Sequence, residues 1–241
     1  MMNILITGAN GFIGRNLFYH IQNKSNFNCK KITKKTPKNK FFKLLNNADI
    51  IFHFAGSNRE KNEKNFYKNN IQLTKYICSC IKNTNKKIKL IYTSTTQVHK
   101  KNTYGTSKKK AEDELLKIHK KNKNINLNIY RLPNIFGKWS KPDYNSVVST
   151  FCNRAIKNEE LKIIKNEKIS LVYIDDLIKS FLKNINREKN SKIFYDIKPQ
   201  KKIFVKQLAK KIIKFNNDRK NNLIPNIKNN FDKKVYSTLL S

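Results

Sequence analysis

A chain that opens on a short apolar run and then breaks into three evenly spaced glycines has few folds open to it. Ile4-Leu5-Ile6 leads through Thr7 into Gly8-Ala9-Asn10-Gly11-Phe12-Ile13-Gly14. The pattern predicts a buried strand, a tight turn and the start of a helix. Such a turn presents free backbone N–H groups and the positive end of a helix dipole to a pyrophosphate. Gly8 permits the turn, Gly11 the close approach of phosphates, and Gly14 the packing of helix on strand. Asn10, Phe12 and Ile13 fall in the same cradle. The spacing is G-x-x-G-x-x-G rather than the commoner G-x-G-x-x-G, and its position after an N-terminal strand points to a dinucleotide.

Beyond the turn, apolar runs alternate with amphipathic stretches, as in a parallel sheet covered by helices. Helices are expected over Phe12–Asn23, Glu60–Lys82, Ser107–Lys120, Ser146–Lys157, Asp175–Lys183 and Val205–Phe215. Strands are expected over Phe27–Thr33, Asp49–Ala55, Ile88–Thr93 and Leu127–Leu132. Past Pro133 the pattern loosens, and the last ~25 residues, rich in Asn and Lys, read as a partly ordered surface segment. The expected fold class is α/β: a Rossmann-like, doubly wound parallel sheet with a small C-terminal substrate-binding lobe. In domain terms residues 1–241 form one unit, with a dinucleotide-binding core over about 1–132 and the lobe and tail over about 133–241.

A formal net charge of +36 raises the question of nucleic acid. Lysine far outnumbers arginine, however, and the charge is spread from end to end without a basic arm or an Arg-rich helix. That distribution is a bias of composition and predicts salt-sensitive, non-specific adhesion to polyanions rather than a specific nucleic-acid partner. Cys29, Cys78, Cys80 and Cys152 lack metal-ligand spacing and read as free, buried thiols, with no metal expected. The N-terminus lacks the apolar core of a signal peptide, and no run is long enough to insert into a membrane. A cytoplasmic location is expected.

Chemistry is concentrated in two further places. Tyr104-Gly105-Thr106-Ser107-Lys108 puts a phenol and an ammonium four residues apart on one helix face. A free phenol titrates near about 10, and a fixed cation beside it lowers that value toward the range where it transfers protons. Thr93-Ser94-Thr95-Thr96 ends the fourth strand, where hydroxyls can polarise a carbonyl bound at the carboxyl edge of the sheet.

Together the glycine turn, the hydroxyl cluster and Tyr-x-x-x-Lys resemble the extended short-chain dehydrogenase/reductase superfamily over residues 1 to about 190. The resemblance implies a catalytic set of Thr95, Tyr104 and Lys108, with Ser94 able to substitute for Thr95. It places Ala55 and Gly56 of His53-Phe54-Ala55-Gly56 beside the cofactor, with Tyr104 and Lys108 also touching it. Asn70 takes the place of a structural asparagine. Arg131-Leu132-Pro133-Asn134-Ile135-Phe136-Gly137 matches the loop that meets the nicotinamide, at Pro133, and Tyr173-Ile174-Asp175-Asp176 matches a later structural motif. Ala55–Arg59, the run Arg131–Cys152, Asn158-Glu159-Glu160 and the final Tyr236–Ser241 are similar to a narrower branch. Its members reduce UDP-2-acetamido-2,6-dideoxy-hexuloses in capsule synthesis, and they continue into a metal-binding cupin domain that epimerises the sugar. The expectation is therefore a reductase without that second activity, whether reductase-only, one half of a pair with a separate cupin-type epimerase, or a truncated product.

No carboxylate follows the second strand, where one would bind a ribose 2′-OH; Lys34 and Lys35 stand there instead, which points to NADPH. Sugar 4,6-dehydratases place Asp-Glu where this chain has Thr96-Gln97, so dehydration is disfavoured. The substrate expected from the resemblance is a UDP-4-keto-6-deoxy-N-acetylhexosamine. Its candidate contacts are Asn58, Arg59, Gln97, Asn134, Lys138, Lys141, Tyr144 and Asn145. Trp139 or Tyr144 could stack on uracil, and Trp139 reads equally well as core. A homodimer is expected by analogy. The alternatives are an NAD-dependent nucleotide-sugar 4-epimerase and a non-catalytic polyanion-binding protein on the same fold.

Overall fold

The computed structural model describes residues 1–22, 24–185 and 192–241; Asn23, the last residue of the expected first helix, lies outside them. The chain divides into two compact units, one of 1–132 with 180–196 and one of 133–179 with 197–241.

The first unit opens with β1 (Met2–Thr7), α1 (Phe12–Ile21), β2 (Phe27–Ile32), α2 (Lys38–Asn47) and β3 (Ile50–His53). A helical stretch follows as α3 (Glu63–Phe66), a π-helical turn (Tyr67–Gln72) and α4 (Leu73–Ile81). Then come β4 (Ile88–Thr95), a 3-10 turn (Thr96–His99), α5 (Thr103–Lys121) and β5 (Ile125–Leu132). The remaining elements of the chain are β6 (Asn134–Phe136), α6 (Val147–Ile156), β7 (Lys168–Tyr173), α7 (Ile174–Ile185), β8 (Phe194–Asp196), β9 (Lys201–Phe204), α8 (Val205–Lys220) and α9 (Asn230–Leu239).

Six strands pair in the order β2-β1-β3-β4-β5-β8, every pair parallel. Strands buried on both faces need apolar residues at consecutive positions, and Ile4, Leu5, Ile6, Ile50, Ile51, Phe52, Leu90 and Ile91 supply them. On one face Leu5, Ile51, Leu90, Leu127 and Ile129 pack with Phe41 and Leu45 of α2, Ile77 and Ile81 of α4, and Leu115 and Ile118 of α5. On the other, Phe52, Phe54 and Tyr130 gather around Phe181 of α7, with ring centroids 4.9–5.9 Å apart. Each such side chain contributes about 1.5–3 kcal/mol by leaving water. The order reverses between β1 and β3, one neighbour leading to β2 and the other to β4. Open α/β sheets bind ligands at that reversal, outside the carboxyl ends of the strands.

In the second unit β7 pairs parallel with β6 and antiparallel with β9, while α6, α8 and α9 pack on one another. Here the structure corrects the reading of the tail. Phe231, Val235 and Leu239 recur every four residues and are buried, so α9 presents a continuous apolar edge. Asn229 caps it by accepting the Asp232 N–H at 3.0 Å, and buried Asp232 pairs with Lys211 at 2.8 Å. Most of the Asn and Lys residues that made the segment look disordered are exposed, while Lys234 turns inward to pair with Asp176 at 2.6 Å.

Two helices also start three or four residues away from expectation. The stretch expected as one helix over Glu60–Lys82 starts at Glu63, where Asn62 accepts the Lys64 N–H at 2.9 Å, and it widens into a π turn. That turn carries buried Asn70 inward. The helix expected from Ser107 begins at Thr103, because Asn102 caps it through the Gly105 N–H at 2.7 Å. The α2 helix, KNKFFKLLNN, escaped the sequence reading because it buries only Phe41 and Leu45 in a polar segment.

Candidate active site

The cradle after β1 is built by exclusion of side chains. Gly8 has φ +67°, and a Cβ there would lie 2.7 Å from the Ala55 nitrogen. A Cβ at Gly14 would lie 2.9 Å from Ala9 Cα. The Gly11 N–H donates to the Gly8 carbonyl at 2.9 Å and closes the turn. Helix α1 then starts with neither a side-chain cap nor an acidic residue in its first turn. Its first N–H groups, from Phe12 and Ile13 onward, lack intrahelical acceptors and face an exposed Asn10-Gly11. This is what a dinucleotide pyrophosphate needs, and the residues fit one.

The end of β3 is tied to the rest of the site by a directed chain of hydrogen bonds. The Thr7, His53 and Tyr92 positions are successive neighbours across β1, β3 and β4. Thr74 donates its hydroxyl to the Asn70 carbonyl at 2.6 Å, so it must accept from His53 Nε2 at 2.9 Å. His53 Nδ1 is then the acceptor for the Thr7 hydroxyl at 2.9 Å, and Thr7 Oγ1 takes the Ala55 N–H at 3.2 Å. That assignment requires a neutral imidazole. Burial, with the charge of Lys108 adding to it, lowers its pKa to about 3. From Asn70 the network runs on: Oδ1 accepts the Ser57 N–H at 2.9 Å, and Nδ2 donates to Ser57 O and to Ser107 Oγ at 3.1 and 2.9 Å. Ser107 in turn donates to the Tyr104 carbonyl at 2.7 Å.

Tyr104 and Lys108 occupy the first turns of α5. Tyr104 is half-buried against Phe66, with ring centroids 6.0 Å apart, and Lys108 is 6% exposed. Burial lowers the lysine pKa to about 7, with nearby Glu112 opposing the shift. Thr95 closes β4, and its Oγ1 accepts the Gln97 N–H at 3.2 Å while keeping its own proton to donate. Ser94 is also buried, and its hydroxyl has no partner among the described residues. Gln97 Oε1 accepts from Asn102 at 3.3 Å, which links the hydroxyl end of β4 to the cap of α5.

The remaining expected residues fall in three places. Gly56 borders Asn70 and Lys108: a Cβ there would lie 2.6 Å from Asn70 Oδ1 and 3.9 Å from Lys108 Nζ. Lys34 and Lys35 are exposed in a turn in which the Thr33 N–H donates to Thr36 Oγ1 at 3.0 Å, and Glu60 lies within electrostatic reach of Lys34. Asn58 is half-buried and Arg59 exposed, on the segment after β3. Pro133, Asn134, Lys138, Lys141, Tyr144 and Asn145 all belong to the second unit. Within it, Lys138 pairs with Asp175 at 3.1 Å, Asn134 donates to the Ser170 carbonyl at 3.3 Å, and Asn145 accepts the Lys141 N–H at 2.9 Å. Trp139 is 39% exposed with φ +65°, which removes its reading as core.

Sequence reasoning missed three contributors. Tyr92 lies under the Lys108 ammonium, Ser107 joins Asn70 to Tyr104, and Glu112 holds Arg131 through bonds of 3.1 and 2.7 Å. The available signal for Glu112 was its place four residues after Lys108, on the same helix face. All four cysteines are free thiols; Cys78 and Cys152 are buried, whereas Cys29 and Cys80 are half-buried rather than buried as expected. Among the described residues no cluster of three or more His, Cys, Asp or Glu could hold a metal, and no helix is long and apolar enough to cross a membrane.

Residues 4–197 match the NAD dependent epimerase/dehydratase family. The chain belongs to that family. Within it, the chain is 36% identical over 241 residues to UDP-2-acetamido-2,6-beta-L-arabino-hexul-4-ose reductase of Pseudomonas aeruginosa, spanning all of this chain and 64% of that protein. It superposes on capsular polysaccharide assembling protein CapF of Staphylococcus aureus with a TM-score of 0.86 and 30% identity, covering 100% of this chain and 64% of that one. UDP-N-acetylglucosamine 4-epimerase of Bacillus cereus shares the fold at a TM-score of 0.80 and 20% identity, covering 100% and 96% of the two chains. The chain thus spans just under two thirds of the length of the Pseudomonas aeruginosa reductase and of the Staphylococcus aureus CapF.

Proposed function

We propose that this family member reduces the 4-keto group of a UDP-2-acetamido-2,6-dideoxy-hexulose. The observation that carries the reading is the likeness, along all of this chain and 64% of the relative, to a hexulose reductase, on a chain that keeps Thr95 at the end of β4 and Tyr104 and Lys108 on the following α5. A nicotinamide cofactor, when bound, supplies the hydride. The chain's own residues do the rest. The Thr95 hydroxyl hydrogen-bonds the carbonyl oxygen, with Ser94 as its neighbour. Tyr104 gives its phenolic proton to the oxygen as negative charge develops there. The Lys108 ammonium favours the phenolate left behind. The glycine cradle with Asn10, Phe12 and Ile13 holds the pyrophosphate, and Ala55, Gly56 and Pro133 border the nicotinamide end. Arg59 and Lys141 are suited to a diphosphate, Tyr144 to a uracil ring, and Asn58, Gln97, Asn134, Lys138 and Asn145 to sugar hydroxyl and amide groups.

The reading favours NADPH because Lys35 and Lys34, rather than a carboxylate, follow β2. It also places the protein in the cytoplasm as a homodimer, with any sugar epimerisation left to a cupin-type protein. The test is NADPH oxidation on addition of the UDP-4-keto-sugar. Tyr104→Phe should slow it by about 10²–10⁴-fold. An unchanged rate would overturn the proton-donor role, and tightly retained NAD with interconversion of 4-epimers would favour an epimerase.

A further inference from the structure

We propose that the face of the Tyr92 ring is the seat of the Lys108 ammonium, making Tyr92 a positioning residue for the site. Lys108 Nζ lies 4.1 Å from the ring centroid. An ammonium that is 6% exposed has lost most of its water and needs compensation from the protein. The elements packed around it offer little else. On β3, His53 is neutral. On the π turn, Asn70 commits its amide to Ser57 and Ser107. On α5, Tyr104 precedes Lys108 by one turn, and Glu112 follows it with both oxygens bonded to Arg131 of β5. On α4, Cys78 lies within electrostatic reach of Tyr92 and directs its thiol to the Glu114 carbonyl at 3.9 Å. Among the described residues, none forms an ion pair or hydrogen bond with Lys108. Beyond the Glu112 charge, which favours the ammonium but is shared with Arg131, what remains is the negative face of the ring.

The ring is well placed to act as a fixed seat. Tyr92 is fully buried in the sheet, and its ring packs 5.2 Å from that of His53. Its hydroxyl has no partner among the described residues, so the position uses the ring and not the phenol oxygen. Because burial leaves Lys108 titrating at about 7, a modest change in its surroundings decides whether it is charged near neutrality. A cation–π contact favours the charged form, so removing the ring lowers the pH at which the charge is lost.

The seat is tested without turnover by a double-mutant cycle of Tyr92→Leu and Lys108→Met, read by urea unfolding of the full chain at about pH 6 and about pH 9.5. The expected coupling is about ten- to thirtyfold in the folding equilibrium at the lower pH, falling toward none at the higher, where the lysine is neutral. Tyr92→Phe should couple to Lys108 as tyrosine does. Equal coupling at both pH values would mean packing alone and would overturn the proposal, as would no coupling at the lower pH. If Tyr92→Leu does not fold, phenylalanine and pentafluorophenylalanine at position 92 repeat the comparison at nearly constant volume, and equal coupling for the two would overturn it. The catalytic consequence rests on the proposed reductase reading. There, Tyr92→Leu should move the alkaline limb of the rate profile down by about one pH unit, with Tyr92→Phe leaving it in place. A wild-type chain that reduces no keto-sugar would sink that reading, whereas the unfolding cycle would still decide for or against the seat.

Discussion

Glu112, wholly buried on α5, receives both Nε and Nη2 of Arg131 from the end of β5, at 3.1 and 2.7 Å. The guanidinium is further covered by the Phe194 ring of β8, 4.3 Å from its carbon. This pair joins the helix that carries Tyr104 and Lys108 to the strand next to the one that carries Ser94 and Thr95. Removing one member leaves a buried charge without its counterpart. Arg131→Met should therefore destabilise the protein by about 3–5 kcal/mol in urea unfolding. Arg131→Met with Glu112→Leu should recover much of that loss, and a double variant no better than the single one would refute the electrostatic account.

The neutral His53 makes stability sensitive to acid. Its pKa is about 3 in the folded protein and about 6.5 when unfolded. Between those values the unfolded chain binds more protons, so stability falls as the pH drops from about 6.5 toward about 3. The slope is about 1.4 kcal/mol per pH unit for this one group, with no further loss below the lower value. Unfolding curves of the wild type and His53→Asn at several pH values should differ by this slope. Parallel curves would show that the imidazole is not held neutral.

Gly8→Ala should affect folding and cofactor retention together. The position has φ +67°, and the added methyl meets the backbone of Ala55 at 2.7–2.8 Å. A cost of about 1–3 kcal/mol is expected for the strained backbone alone. Thermal melts with and without NADPH should show a lower midpoint and the loss of any stabilisation by the dinucleotide. A variant that keeps both would mean that the cradle is displaced from the phosphates.

The C-terminal helix is a structural member of its unit. Leu239→Ala, at a residue 3% exposed, should cost about 2–5 kcal/mol, whereas Lys233→Ala on the outer face should be near neutral. Equal, small effects would restore the picture of a loosely attached tail.

The sheet and the glycine cradle were legible because their signals are local. Ile4–Ile6 and Ile50–Phe52 are continuous apolar runs, and Gly8, Gly11 and Gly14 sit at fixed offsets. Tyr104 and Lys108 were legible for the same reason, as one helical turn. What escaped is what depends on partners distant in sequence. Asn70 was reached through the family resemblance alone, because no local pattern separates it from the exposed asparagines elsewhere; what escaped was the network it makes with Ser57 and Ser107, 13 and 37 positions away. Helix α9 was obscured by composition, its three buried side chains being diluted by lysine and asparagine. Strand β8 is only three residues long and is defined by Ile129, Tyr130 and Arg131 across the ladder, not by its own sequence.

That last strand has a consequence for how the chain is made. β8 comes from beyond residues 133–179, yet it completes the edge of the sheet that begins at Met2. As the polypeptide leaves the ribosome, β5 must therefore stand with an open edge until the intervening segment has been synthesised. An unpaired parallel edge is a template for other chains. A fragment ending at Leu132 would keep that edge permanently, so solubility of the nucleotide-binding half depends on residues synthesised only after residues 133–179 of the second unit.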